Sequence, residues 1–344
     1  MCFQFTRRLL GLLLIASVGL VRPVDAEVST DRPGAIVVFP RVVSDQNQDT
    51  IIQISNAAGS PLLARCLYVN GALDPRSGRP LWSVTDFQIR LTKLQPTSWV
   101  AGNGLPSVPP GVPPDFYPGK IPPVDVGFVG ELRCIAVDEN ENPISRNGLI
   151  GTATLVDRTT ASTRTYRAVA IQGLPGNNHD NTLLFDDVEY SACPRMLLLN
   201  AIFDDAPDPV LSSPLRTNLT VVPCSADFEQ RVPGTATLQL EVVNEFETRF
   251  STSLSVDCFK EIQLSDIDSP QQHKLSIFNF ASQGTLVGQV RIRPVVDPDT
   301  NHGHGVLAVA EQSRGTAGPG DTVNLHFIDG NLQSDVMVLP PGNF

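Results

Sequence analysis

A short stretch near the end of the chain concentrates side chains that could bind a metal ion. Asp297, Asp299 and Asn301 alternate with other residues, and His302 and His304 follow directly. Alternate oxygen ligands are how a short loop wraps Ca²⁺, and imidazoles at i and i+2 point to the same side of an extended chain. The loop lacks the glycine at its sixth position and the glutamate at its twelfth. It is therefore a metal candidate without the full calcium-loop pattern.

Two earlier turns, residues 45–49 (DQNQD) and 138–142 (DENEN), repeat this alternation and lack the same glycine. Asp and Asn are the residues that β-turns prefer. Plain turns are therefore favoured over calcium sites at all three places. No cofactor is expected, with Ca²⁺ kept as the alternative.

The chain contains none of the common catalytic patterns: no Gly-x-Ser-x-Gly elbow, no His-Glu-x-x-His, no Walker loop and no dinucleotide fingerprint. The adjacent His179 and Asp180 have no nucleophile assigned to them. No catalytic residue is assigned, and the protein is not expected to be an enzyme. The alternative is a secreted hydrolase or metal-dependent enzyme whose site forms around His302 and His304.

Aromatic side chains near a proline-rich insertion are the candidate partner-binding residues. Residues 102–125 hold eight prolines in 24 positions, and proline cannot donate to a β-ladder. A stiff loop carrying Phe116 and Tyr117, near Trp82 and Trp99 in sequence, could present an aromatic surface to a glycan or protein. The favoured interpretation is that this loop packs over the end of a sandwich and the aromatics anchor it.

The first 26 residues have the order of features found in an export signal. Arg7 and Arg8 precede a twelve-residue apolar run at residues 9–20, and Val24 and Ala26 are modest or small side chains before Glu27. Twelve helical residues cover about 18 Å, well short of a roughly 30 Å hydrocarbon core. The sequence predicts cleavage near Glu27, a mature chain without an integral membrane span, and a secreted or periplasmic location.

The mature chain reads as β-strands separated by turns. Short runs rich in Val, Ile, Leu and Thr recur along it, separated by prolines and glycines, of which the full sequence has 29 and 26. Evenly spaced short strands predict an all-β fold of two tandem β-sandwiches. A net charge of −11 disfavours nucleic acid as a partner, because binding it depends on clustered Lys and Arg.

An internal repeat indicates where the two domains divide. Residues 50–56, Cys66, residues 129–133 and residues 148–150 are aligned with four later segments: residues 237–244, Cys258, residues 287–291 and residues 305–307. The predicted organisation is a signal peptide at 1–26, a first sandwich at 27–175 with its insertion at 102–125, a linker at 176–194 and a second sandwich at 195–344. Accidental similarity between β-rich segments is the alternative.

Five cysteines remain after cleavage, in a compartment where disulfides persist. Cys66 and Cys134 lie in strand-like segments of the first domain and are expected to pair. Cys224 is the nearest partner for Cys258 in the second domain, which leaves Cys193 as the odd thiol. A Cys193–Cys224 bridge is the chief competitor, since those two residues are close in sequence and a short loop costs less entropy to close.

Three segments carry a resemblance to known proteins. Residues 34–40 (GAIVVFP), 49–56 (DTIIQISN) and 66–70 (CLYVN) resemble exported bacterial β-sandwich proteins of uncharacterised function, and this resemblance implies no activity. The order Cys66, Trp82, Cys134 is similar to that of immunoglobulin domains, although Leu132 stands where such domains have a tyrosine. The sandwiches are therefore expected to be Ig-like in architecture only.

The function that these observations favour is that of a non-enzymatic secreted or periplasmic protein. It would present loops from two β-sandwiches to a protein or glycan partner. Fold class alone does not establish such a role.

Overall fold

The computed structural model describes residues 28–297, 302–315, 320–332 and 334–342, so the predicted signal peptide lies outside the described residues. The all-β prediction is confirmed, because the described helices are one four-residue α-helix, α1 (Phe280–Gln283), and three 3-10 turns. Residues 28–175 are called the first half below, and residues 195–342 the second half.

The first half contains nine strands. They are β1 (Ile36–Ser44), β2 (Gln48–Asn56), β3 (Leu62–Asn70), β4 (Ser83–Leu91), β5 (Pro96–Val100), β6 (Phe128–Val137), β7 (Leu149–Asp157), β8 (Ser162–Arg167) and β9 (Val169–Ile171). Their pairing runs β4-β3-β6-β1-β9 on one side and β5-β2-β7-β8 on the other, and β1 meets β2 at Ser44 and Asp49. The two layers pack face to face. Trp99 of β5 donates to the Tyr68 hydroxyl of β3 at 2.6 Å inside the core.

Twelve further strands lie in the described residues that follow. They are β10 (Thr182–Phe185), β11 (Cys193–Ile202), β12 (Leu215–Pro223), β13 (Ala226–Asp227), β14 (Thr235–Asn244), β15 (Arg249–Asp257), β16 (Lys260–Gln263), β17 (Val287–Pro294), β18 (Val306–Arg314), β19 (Gly320–Asn324), β20 (His326–Leu332) and β21 (Asp335–Val338). Nine of these strands form a sheet β15-β14-β17-β11-β20 and a sheet β16-β12-β18-β19 in the second half. The other three form the small sheet β10-β21-β13. A second apolar core lies between these two sheets.

The two halves have the same strand order in both layers. Taken along the chain, β1 to β9 correspond to β11, β12, β14, β15, β16, β17, β18, β19 and β20, and every pairing within a layer is reproduced. The short β1–β2 contact that links the two layers of the first half has no counterpart, because β11 and β12 lie in separate sheets. The register agrees as well: Asn70 lies opposite Gly130, and Asn244 lies opposite Gly288. Each asparagine accepts a backbone N–H from the residue two positions later.

This topology corrects part of the predicted repeat. The alignment of residues 129–133 with 287–291, and of 148–150 with 305–307, agrees with the strand correspondence. The alignment of residues 50–56 with 237–244 is wrong, because the first segment lies in β2 and the second in β14, whose counterpart is β3. Cys258 therefore does not correspond to Cys66, which instead occupies the position of Leu240.

The predicted linker, residues 176–194, is ordered and partly buried. It contains β10, which pairs with β21 from the end of the chain, and β21 also pairs in parallel with β13. Leu183, Phe185 and Tyr190 are each at most 1% exposed. These side chains belong to a core that also includes residues of both halves, so the segment joins the halves through packed structure.

The disulfides agree with the prediction only for the first half. Cys66 is bonded to Cys134, while Cys193 is bonded to Cys224, and Cys258 is a buried free thiol. The predicted Cys224–Cys258 bridge is therefore wrong. Cys66 and Cys134 lie directly opposite each other on neighbouring strands of one sheet, whereas the immunoglobulin disulfide joins two sheets. The likeness to immunoglobulin domains thus does not extend to the disulfide.

Candidate functional site

Among the described residues, the group of three or more potential metal ligands that the structure holds does not include Asp297, His302 or His304. Asp299 and Asn301 lie outside the described residues. Asp297 donates its backbone N–H to the carbonyl of His302, which closes the turn, and the His302 and His304 side chains are exposed. In the two earlier turns, Asp45 and Asp138 accept nearby backbone N–H groups, as turn-forming residues do.

His304 instead lies beside a buried carboxylate from β21. Its Nδ1 is 3.5 Å from Asp335 Oδ1 and 3.4 Å from the Ser225 hydroxyl. Ser225 donates to Asp335 Oδ1 at 2.6 Å, and Gly305 donates its N–H to Asp335 Oδ2 at 2.9 Å. The Asp335 carboxylate raises the pKa of His304, against the opposing effect of burial.

A serine, a histidine and an aspartate in contact raise the possibility of a catalytic triad, and the geometry argues against one. In a working triad the imidazole lies between the other two groups and contacts each through a different ring nitrogen. Here the same His304 nitrogen faces both Ser225 and Asp335. The Ser225 hydroxyl also donates its hydrogen bond to the Asp335 carboxylate, so the histidine does not activate the serine. The arrangement is suited to anchoring β21.

The described residues contain one group of three potential metal ligands: Cys193, Cys224 and Asp335. Both sulfurs belong to a disulfide, and metal binding requires thiolates. This cluster does not form a metal site while the disulfide is intact.

The four predicted partner-binding aromatics do not form a common surface. Trp99 is 3% exposed inside the first sandwich, and Trp82 stacks on Phe228 of the second half with ring centroids 5.5 Å apart. Tyr117 donates to the Pro106 carbonyl within the proline-rich insertion, and Phe116 alone of the four is largely exposed. The insertion packs against the first sandwich through buried Ile121 and Val124.

A groove of about 590 Å³ lies between the two halves. No sequence pattern predicted it. One wall is the connection from β3 to β4, which contributes Leu73 and Arg79. The opposite wall is formed by the end of β15 and by β16, with Asp257, Lys260 and Ile262. Each wall comes from a different half, so only the packing of the halves creates the groove.

A tight contact sets the floor of this groove. The Phe259 ring packs directly on the backbone of Gly71, where a Cβ atom would overlap it. Phe259 is 6% exposed, whereas Leu73 on the first wall is 63% exposed. Gly71, directly after β3, was the one available sequence signal, since glycine permits such a close approach.

The groove offers charges of both signs beside apolar surface. Arg79 and Lys260 are cationic, and Asp257 and Glu261 are anionic. Glu261 is held by Arg41 of the first half, whose Nη2 donates to its Oε1 at 2.8 Å. A mixed lining of this kind is chemically suited to a polypeptide segment, which carries both charges and apolar side chains.

No family model matches the chain, and no curated protein matches it. Among the described residues, no helix has the length and apolar character needed to cross a membrane.

Proposed function

We propose that this is a non-catalytic binding protein of the secreted or periplasmic space, which uses two tandem β-sandwich domains of Ig-like architecture to hold a protein partner. The observation that carries the proposal is the groove between the halves, with Leu73 exposed on one wall and charges of both signs along it. The two disulfides are in keeping with an oxidising compartment.

The edges of the sheets favour a polypeptide over a glycan in this groove. β16 lines the groove and, among the described strands, pairs with β12 alone. An unpaired edge presents backbone donors and acceptors to an extended segment. We therefore expect the partner to insert an extended segment beside β16, with a glycan as the alternative occupant.

The test is retention of envelope or culture-medium components by the immobilised mature protein. A Leu73→Glu/Arg79→Glu variant should lose the retained component, because the first wall would become acidic and polar. Val210→Glu is the matched control, since Val210 is 83% exposed and does not line the groove. Equal retention by the groove variant and the wild type, or retention of nothing, would contradict the proposal.

A further inference from the structure

The outer face of the sheet β15-β14-β17-β11-β20 carries a cluster of three arginines in an acidic protein. Arg291 and Arg293 of β17 and Arg249 of β15 surround Glu241 of β14, and Gln239 of β14 lies opposite Arg293. We call these five residues the arginine face. They line a shallow depression of about 180 Å³, which is separate from the groove.

The repeat shows that this face is open where its counterpart is covered. Arg133 of β6 corresponds to Arg291, and it donates to the Cys224 and Pro223 carbonyls of the second half at 2.9 and 2.5 Å. Leu67 and Ile135 occupy the positions of Glu241 and Arg293 and are fully buried. The same position in the fold therefore supports packing in one half and a polar, accessible surface in the other.

The guanidinium groups of this face retain donors for a ligand. Arg249 and Arg291 lie 3.6 and 3.7 Å from opposite oxygens of Glu241, which is a loose arrangement for ion pairs. Arg291 donates through Nε to Gln289 at 2.8 Å, and Arg293 Nε lies 3.3 Å from the Met196 sulfur. Each guanidinium has five N–H donors, so these contacts use only a minority of the donors.

The charge and shape of the face select a class of ligand. Three cations and one carboxylate leave a local excess of positive charge, and arginine binds carboxylates through two parallel hydrogen bonds. Ser251 lines the same depression, and Ser251 and Gln239 can hydrogen-bond sugar hydroxyls. We propose that the arginine face binds an acidic polysaccharide through the carboxylates of successive sugar units.

Binding of fluorescently labelled polygalacturonate to the mature protein at low ionic strength tests this proposal. The wild type should bind it, should not bind neutral dextran, and should lose affinity as salt screens the charges. Arg291→Gln/Arg293→Gln should weaken binding by roughly tenfold or more, because charge-assisted hydrogen bonds are lost. Glu241→Gln should strengthen it, since the competing carboxylate is removed.

Matched controls separate this site from general charge effects and from the groove. Arg76→Gln/Arg231→Gln removes two exposed arginines elsewhere and should bind like the wild type, as should the Leu73→Glu/Arg79→Glu variant. Absence of binding by the wild type, or equal losses in both arginine pairs, would overturn the proposal. Equal binding of poly-glutamate would overturn its assignment to a polysaccharide. All variants should keep the wild-type melting temperature.

Discussion

At the scale of single residues, the three cysteines from residue 193 onward have two different chemical roles. Cys193 and Cys224 form a disulfide that ties the start of β11 to the end of β12. Cys258 is 3% exposed, and burial raises the pKa of its thiol. A buried thiol that resists ionisation is a poor nucleophile and a poor metal ligand. Cys258 therefore contributes packing to the contact between the halves.

His304 makes the stability of the protein depend on pH. Asp335 raises its pKa above the ordinary value near 6.5, so the protonated form is favoured by folding. The stabilisation is fully present below the unfolded-state pKa and is lost as pH rises through the folded-state pKa. We expect the free energy of unfolding to fall as pH rises from about 6.5 through the higher folded-state pKa of His304. The fall should be at most about 1 kcal/mol, because the pair is half-exposed.

Urea titrations at several pH values check this prediction. His304→Gln should flatten the dependence in that window, whereas His179→Gln, in another exposed loop, should leave it unchanged. A His304→Gln protein with the full wild-type dependence would show that another group is responsible.

At the scale of elements, the matched strand pairs β3–β6 and β14–β17 each need a glycine. A Cβ atom on Gly130 would overlap the backbone carbonyl of Val69, and one on Gly288 would overlap the Phe203 ring. Each glycine lies opposite an asparagine that ends the partner strand. The two halves thus share a local requirement as well as a topology.

Alanine substitution should show this requirement. We expect Gly130→Ala and Gly288→Ala to lower the free energy of unfolding by about 1–3 kcal/mol, the usual cost of overpacking. Gly130→Ala should be the more damaging change, since a backbone carbonyl moves less readily than a ring. Chemical denaturation measures the effect, with Gly59→Ala as the control because nothing lies near that position. Equal stability of all three variants would refute it.

Sequence patterns predicted the strands well and their correspondence poorly, for a physical reason. β14 (TATLQLEVVN) alternates between buried and exposed residues, whereas its counterpart β3 (LLARCLYVN) is buried on both faces. A strand covered on both sides loses its alternation, so residues 50–56 looked more like β14 than β3 did. The groove was hidden for a different reason, because its walls come from distant segments that only the packing of the halves brings together.

At the scale of the whole molecule, the two halves are joined by a shared apolar core and by buried charges. Arg41 of the first half lies 3.3 Å from Glu311 of the second half, and Arg164 lies 3.3 Å from the other oxygen of Glu311. Both Arg41 and Glu311 have side chains at most 7% exposed. Buried ion pairs of this kind destabilise strongly when one partner is removed. The halves should therefore unfold together.

Arg133 offers the sharpest test of that coupling. Its guanidinium lies 2.8 Å from the buried Glu131 carboxylate and donates to two carbonyls of the second half. Burial raises the pKa of Glu131, and Arg133 opposes that rise. Arg133→Met would leave a buried carboxylate and two carbonyls without their donor, which should cost about 3–5 kcal/mol.

The wild type should unfold in a single urea transition that is the same by tryptophan fluorescence and by far-UV circular dichroism. Because Trp82 and Trp99 both lie in the first half, Arg133→Met should make the two probes separate if the halves lose their coupling. Arg133→Met/Glu131→Gln should recover part of the stability, since it removes the unpaired carboxylate. An Arg133→Met protein with wild-type stability would show that the apolar core alone holds the halves together.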